Sequence, residues 1–325
     1  MLSQNSAIGG YFELELPARN KEKYPGSLKY QSARAAFLAL LESIPDTCRV
    51  WMPNYMCDTM LSPVRLAGKE IKFYSIDISL APVKKIPLKN GDILFYVNYF
   101  GLCNRNVQNL LEKYDAEKVV IDCSQAFFSE PYDCLATIYS PRKFFGIPDG
   151  GILCTRQVIS LPSEQDEGSF SRANHLLQRL AFSAEQGYES YKLAEESLKD
   201  MTPKRMSKFT NTLLSSIDHE SAKIKRRENF KTLHENLGAD NILKWEFDSA
   251  AAPMCYPFLP KKRIIKQRLI EKRIFLPTYW PEVKERENLC SFEKALVDEL
   301  LAIPCDQRYE KSEISYLISR INGEL

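Results

Sequence analysis

Ile138-Tyr139-Ser140-Pro141-Arg142-Lys143-Phe144-Phe145-Gly146-Ile147-Pro148-Asp149-Gly150-Gly151 is the stretch on which the reading of this chain turns. A strand-like apolar run precedes Lys143, two phenylalanines follow it, and the glycine pair opens the next strand. A lysine amine that attacks a carbonyl must be partly neutral, and apolar neighbours favour the neutral form by desolvation. Read alone, the stretch fits an exposed turn lysine beside a glycine-rich hairpin equally well.

A partner lies 21 residues upstream, in Ile121-Asp122-Cys123-Ser124-Gln125-Ala126-Phe127. Asp122 ends the apolar run 118–121, so its carboxylate is expected at the carboxyl edge of a sheet. A single Asp there also serves as a cap or turn residue. A third segment, Tyr30-Gln31-Ser32-Ala33-Arg34-Ala35-Ala36, opens an Ala/Leu-rich helix. The free N–H groups and positive dipole end of a helix N-terminus suit a phosphate, although Ser32 also reads as a plain N-cap.

These segments sit in an alternation of strands and helices. Expected strands are 49–52, 71–76, 93–99, 118–122, 135–139 and 151–155, with helices at 32–42 and 106–114. Several strands are unbroken Val/Ile/Leu/Tyr/Phe runs, as in strands buried on both faces of a mainly parallel sheet. The order implies an α/β fold with a large doubly wound sheet, whose ligands bind at the carboxyl ends of the strands. Three units are expected: a large α/β domain over 1–163, a charged helical connector over 164–237 broken at Pro203, and a small α+β domain over 238–325. In the last unit the pattern gives strands at 253–259 and 274–277 and helices at 261–272 and 312–321.

Composition narrows the function. The 44 Lys and Arg balance 42 Asp and Glu over 325 residues, which argues against nucleic acid and for small-molecule chemistry. The clusters Lys204-Arg205, Lys225-Arg226-Arg227 and Lys261-Lys262-Arg263 read as solvated helix faces. Met1 to Ser6 lacks the basic start and apolar core of a signal peptide, and no apolar run reaches the ~20 residues of a membrane helix, so a cytoplasmic protein is expected. Nine scattered cysteines (48, 57, 103, 123, 134, 154, 255, 290, 305), no Cys-x-x-Cys pair and three histidines point to reduced thiols and no metal site.

Together the Asp122 and Lys143 segments resemble the DegT/DnrJ/StrS family of sugar aminotransferases, which use pyridoxal 5′-phosphate (PLP) on the fold-type I scaffold. That family carries Asp-x-x-Gln/His-Ala, a Lys about 20 residues on, and a Gly/Asp/Glu-Gly-Gly turn, in keeping with a Schiff-base lysine plus an acid on the pyridinium nitrogen. The resemblance implies that Lys143 binds PLP covalently, that Asp122 keeps the ring nitrogen protonated, and that Gln125 lies near the phenolic oxygen. It also implies that Ser32, Ala33 and Arg34 hold the phosphate, with Ala33 and Arg34 standing where the family has Gly and Thr. Ser140 is near the family's phosphate-binding serine, whose own place is Ile138 here.

Two further segments fit the resemblance less sharply. In Pro53-Asn54-Tyr55-Met56-Cys57-Asp58 the ring-stacking place falls on Cys57, with Tyr55 two residues earlier. Asn98-Tyr99 matches a His-Tyr-like pair at a neighbouring strand end. Tyr55 and Tyr99 read equally as core aromatics. Near the C-terminus Arg308 is a candidate for a substrate carboxylate or for a structural salt bridge. The implied function is amino-group transfer from an amino-acid donor to a carbonyl acceptor such as a nucleotide-linked keto-sugar, in polysaccharide biosynthesis. The implied assembly is a homodimer, with Pro203-Lys204-Arg205-Met206-Ser207 reaching the partner's phosphate site. The alternatives are a PLP-dependent lyase or dehydratase, and a PLP-fold binding or regulatory protein without turnover. Family members that dehydrate sugars commonly carry His in place of the lysine, so Lys143 favours transfer.

Overall fold

The computed structural model describes residues 10–18, 20–44, 49–245 and 252–325. Cys48 and the stretch Met1 to Ser6 lie outside them; the other eight cysteines are free thiols.

The large unit is built on a seven-stranded sheet. Its strands are β1 (Leu28–Tyr30), β2 (Arg49–Pro53), β3 (Glu70–Tyr74), β4 (Ile93–Val97), β5 (Val119–Asp122), β6 (Ala136–Tyr139) and β7 (Gly151–Thr155), in spatial order β1-β7-β6-β5-β4-β2-β3. Pairs from β3 through β6 are parallel, and β7 runs antiparallel to both of its neighbours. Every residue of β4, β5 and β6 is buried, which is why these central strands read as unbroken apolar runs. β3, at one edge, keeps Glu70 and Phe73 exposed.

Helix α1 (Ala33–Glu42) is apolar around most of its circumference, as a helix inside a core must be. It is followed in the large unit by α2 (Ser62–Leu66) and α3 (Asn104–Lys113). The stretch expected as a connector forms α4 (Ser169–Arg172), α5 (Asn174–Ala181), α6 (Tyr188–Ser197), α7 (Lys208–Ser216) and α8 (His219–Leu237). Phe230, Leu233 and Leu237 of α8 belong to the core of the C-terminal unit, beside Tyr256, Phe258, Leu301, Ile303 and Ile314. That unit contains β8 (Tyr256–Phe258), α9 (Lys266–Glu271), α10 (Ser291–Glu299), β9 (Leu301–Ile303) and α11 (Lys311–Asn322), with β8 and β9 antiparallel.

Three expectations need correction here. Residues 274–277 form no strand: Arg273 turns the chain at φ 59° and Phe275 is exposed. α10 and β9 are additional elements. Arg226 does not lie on a solvated face; it is 1% exposed. Among the described residues no helix is long and apolar enough to cross a membrane, and no group of three or more His, Cys, Asp or Glu is placed to hold a metal ion.

The C-terminal unit is fastened to the sheet by charged side chains acting on backbone. Arg286 donates to the carbonyls of Asn54 and Met56 just past β2, and pairs with Asp58. Fully buried Glu293 accepts from the Ile76 N–H at 3.0 Å and closes a capping box with Cys290 at the start of α10.

Candidate active site

The strand order reverses between β4 and β2, the kind of switch point at which α/β sheets bind ligands, and the carboxyl ends of β5 and β6 lie alongside it. Asp122 is the last residue of β5 and 5% exposed. Its Oδ1 accepts the Ser124 N–H at 2.8 Å. Burial pushes its carboxyl above the usual carboxylate range, while the positive charge of Lys143 and the hydrogen bonds from Ser124 pull it back. Lys143 closes the single 3-10 turn Pro141–Lys143 that leaves β6, its N–H bonded to the Ser140 carbonyl at 3.1 Å.

Phe144 and Phe145 pack with Phe127 and Phe128 into a buried aromatic cluster, with ring centroids 5.0 to 6.1 Å apart between the two pairs. Lys143 itself is exposed. The desolvation expected from its apolar neighbours is therefore not delivered by the chain alone: these rings serve the core.

Gln125 is 1% exposed and its Oε1 accepts the Phe100 N–H at 2.8 Å. That bond fixes the amide, and its Nε2 is left buried with no acceptor among the described residues. A partnerless buried donor carries the full desolvation cost of an unmade hydrogen bond, so it marks a place for an acceptor oxygen. Phe100 is held at φ 57° and Gly101 at φ 75°, where a Cβ on Gly101 would lie 3.0 Å from the Gln125 carbonyl oxygen.

At the head of α1, Ser32 is the N-cap, accepting the Ala35 N–H at 3.1 Å. The first N–H groups of the helix, at Ala33 and Arg34, have no carbonyl a turn below. Gly150 bridges to Ser32 and donates its N–H to the Gln31 carbonyl at 2.8 Å. The Gly150-Gly151 turn after Lys143 is thus pressed against the helix start. Arg34 is half-buried, burial lowers its pKa, and among the described residues its side chain forms no hydrogen bond or ion pair. Arg142 is near enough to feel its charge but is itself paired with Glu195. Ser140 is buried at the end of β6, immediately before the lysine turn.

The remaining candidates divide. Tyr55 is fully buried, its ring 4.7 Å from Trp280 edge-on and 5.9 Å from Tyr99, and its hydroxyl lacks a partner among the described residues. Tyr99 is also fully buried and donates to the Tyr55 carbonyl at 2.8 Å. Cys57 is half-exposed, with Sγ 3.1 Å from Thr59 Oγ1. Asn98 is spent inside the fold: Nδ2 donates to Asn104 Oδ1 and Tyr132 OH, and Oδ1 accepts the Cys103 N–H. Arg308 is held bidentately by Asp306 at 2.7 and 2.9 Å. The structure therefore brings Asp122, Gln125, Lys143, Ser140 and the 32–34 helix start together at neighbouring strand ends, and commits Asn98, Tyr99 and Arg308 to contacts within the chain.

Sequence reading passed over several residues that frame this site. Asp149, before the glycine pair, is fully buried and accepts from Ser169, Arg172 and Thr210, which ties the turn to α4 and α7. Trp280 takes φ 54° and packs on Tyr55. A cavity of about 510 Å³ lined by Gln31, Asp166, Arg172, Asp200 and Lys204 lies along the connector, and none of the candidate residues lines it.

The segment Pro203 to Ser207 lies along β1 of its own chain: Gln31 exchanges side-chain hydrogen bonds with Thr202 and Lys204, and the Met206 N–H donates to the Lys29 carbonyl. Arg205 donates to the Ser163 carbonyl at 2.9 Å.

No family model matches the chain, and no curated protein matches it by sequence. Solved structures do match in shape. The sugar aminotransferase CalS13 from Micromonospora echinospora aligns with a TM-score of 0.61 at 15% identity, over 92% of this chain and 87% of that one. A DegT DnrJ EryC1 StrS aminotransferase from Brucella abortus gives 0.62 at 15%, over 91% and 85%. The E. coli GDP-4-keto-6-deoxy-D-mannose-3-dehydratase with bound hydrated PLP gives 0.59 at 14%, over 90% and 87%. At such identities the likeness establishes the fold: a large mixed-sheet α/β domain with a C-terminal α+β unit, the fold-type I PLP-transferase architecture.

Proposed function

We propose that the chain is a PLP-dependent aminotransferase with Lys143 as the covalent attachment point of the cofactor. One observation carries the reading: at the ends of the adjacent strands β5 and β6 the buried Asp122 carboxyl lies within the electrostatic reach of exposed Lys143, and Gln125, three residues past Asp122, keeps a buried Nε2 with no partner among the described residues. Acid, amine and orphan donor fit three different atoms of PLP, a ring nitrogen, an aldehyde and a phenolic oxygen. Bound there, PLP supplies an electron sink for the bond electrons released when an amino compound loses its α-proton.

The chain's own residues divide the remaining work. Asp122 holds a proton on the ring nitrogen. Gln125 Nε2 donates to the phenolic oxygen. The head of α1 and Arg34, whose side chain has no hydrogen bond or ion pair among the described residues, would receive the phosphate, together with Ser140. Lys143, when not attached to the cofactor, would accept and return the proton at the substrate's α-carbon. Tyr55, packed on Trp280 and Tyr99, and half-exposed Cys57 are the two candidates to face the ring.

The proposed donor is an amino acid and the acceptor a carbonyl compound of the nucleotide-linked keto-sugar class, which would place the reaction in polysaccharide biosynthesis in the cytoplasm. A homodimer is part of the proposal. Phe170, Leu180, Phe182 and Leu193, on and around α4 to α6, are 77%, 85%, 70% and 71% exposed, an apolar surface that a second copy would cover. The dehydratase alternative shares the fold but asks for a group other than a lysine amine at position 143. A panel of amino donors offered to the PLP-loaded protein tests the reading: conversion to the pyridoxamine phosphate form with release of a keto acid supports it, and a cofactor that stays unchanged with every donor favours a binding role.

A further inference from the structure

We infer that Arg226 is a positioning residue that holds both flanks of the cofactor pocket from the C-terminal side; the inference rests on assigning that pocket to Lys143, Asp122 and Gln125. Arg226 lies in α8, is 1% exposed and, among the described residues, forms no ion pair, so its hydrogen bonds go to neutral acceptors. Its Nε donates to Gln307 Oε1 at 2.8 Å, one terminal nitrogen to the carbonyls of Pro253 and Met254 at 3.1 Å each, and the other to the carbonyl of Phe144 at 2.9 Å. The guanidinium carbon stands 4.6 Å from the centre of the Phe144 ring.

Two branches leave this hub. The first ends beside the reactive lysine: the Phe144 carbonyl, one residue past Lys143, takes a second donor from Gln307 Nε2 at 2.8 Å. The second runs through Met254, whose N–H donates to the Phe100 carbonyl at 2.9 Å, and Phe100 in turn donates its N–H to Gln125 Oε1 at 2.8 Å. One guanidinium thus fixes the backbone next to Lys143 directly and the Gln125 amide through three hydrogen bonds. The nearest counter-charge, Asp306, acts on Arg226 only through space and is hydrogen-bonded to Arg308, so burying this guanidinium without a direct ion pair is unfavourable for stability alone, and apolar packing would fill the space at lower cost. What an arginine adds is a rigid planar fork that sets several acceptors relative to one another, which a lysine on a flexible stem cannot do.

Amide hydrogen exchange in the cofactor-free protein and absorbance titration with PLP, run together on wild type, Arg226→Met, Arg226→Lys and Gln307→Leu, test the role. The substitution Glu228→Gln, at an exposed position of the same helix, is the control. The amides of Phe144, Phe145 and Ile147, all hydrogen-bonded within the lysine turn, are the reporters, and those of β5 are the internal reference. In Arg226→Met the reporters should exchange about ten-fold faster or more while β5 is unchanged, as expected for losing one charge-assisted hydrogen bond, and PLP should bind about ten-fold more weakly.

Gln307→Leu should move both readings the same way by less, and Arg226→Lys should recover part of the loss. If Arg226→Met does not fold, the other two variants carry the same comparison. Wild-type exchange at the reporters with wild-type PLP affinity overturns the inference, as does equal acceleration across β5, which would mark a purely structural role. Failure of the cofactor reading shows separately, as a wild-type protein that takes up no PLP; the exchange comparison then still upholds or overturns the anchoring of the two flanks.

Discussion

The backbone of Gly151 lies so close to that of Ser32 that a Cβ on Gly151 would stand 2.1 Å from the Ser32 carbonyl carbon. The turn after the candidate lysine and the start of the candidate phosphate helix are therefore one packed unit. Gly151→Ala should force the two backbones apart, costing about 1–3 kcal/mol or more. Gly146→Ala, where the nearest atom is a Leu176 methyl 4.0 Å away, should be nearly neutral. Chemical denaturation of the two variants checks the contrast; equal stabilities would contradict the contact.

Asp122→Asn should reduce turnover by about a hundred-fold or more, the scale of removing a preorganised charged group from an active site. Stability should move the other way. Burial raises the folded-state pKa of Asp122 even after the opposing pull of Lys143, so the stability it contributes is complete below its unfolded pKa and is lost as pH rises through the folded value. The cofactor-free Asn variant should therefore melt no lower than wild type at neutral pH, with the difference closing below about pH 4. A variant that melts well below wild type at pH 7 would give Asp122 a structural role instead.

The central strands were legible in the sequence because β4, β5 and β6 are buried on both faces, which leaves no polar alternation to confuse with a helix. β1 and β9, of three residues each, are too short to show any period. Residues 274–277 have strand-like composition but pair with no strand among the described residues, and Arg273 at φ 59° turns the chain away. At the site, Asp122 and Lys143 could be found because both stand at the ends of readable strands. Arg226 could not: within Lys225-Arg226-Arg227 nothing local distinguishes the member that points inward, and its acceptors lie 27 to 82 residues away in the chain.

Arg308→Ala tests whether that arginine serves the fold or a ligand. Burial alone would raise Asp306, but the hydrogen bonds and charge of Arg308 outweigh it and hold the carboxyl below its usual range. A depressed folded pKa contributes stability that is present above the unfolded pKa and lost as pH falls through the folded one. The variant should lose about 1 kcal/mol at pH 7, a figure reduced for its half-exposed guanidinium, and the loss should fade in acid. A raised KM for the amino donor with unchanged stability would instead assign Arg308 to a substrate carboxylate.

Light scattering at dilute concentration should give twice the mass of the chain. Polar substitutions at Leu180 and Phe182, both largely exposed, should shift the protein toward monomer and weaken PLP retention if the second copy screens the site. A monomer that retains PLP and turns over would contradict the proposed dimer.

Borohydride reduction of the PLP-loaded protein, followed by proteolysis and mass mapping, addresses Lys143 itself. The expected result is one phosphopyridoxyl group, on Lys143, in the peptide spanning the Ser140 to Phe145 turn, and none in Lys143→Ala. A label on another lysine, or a protein that takes up no PLP, would contradict the assignment of Lys143 as the cofactor's attachment point.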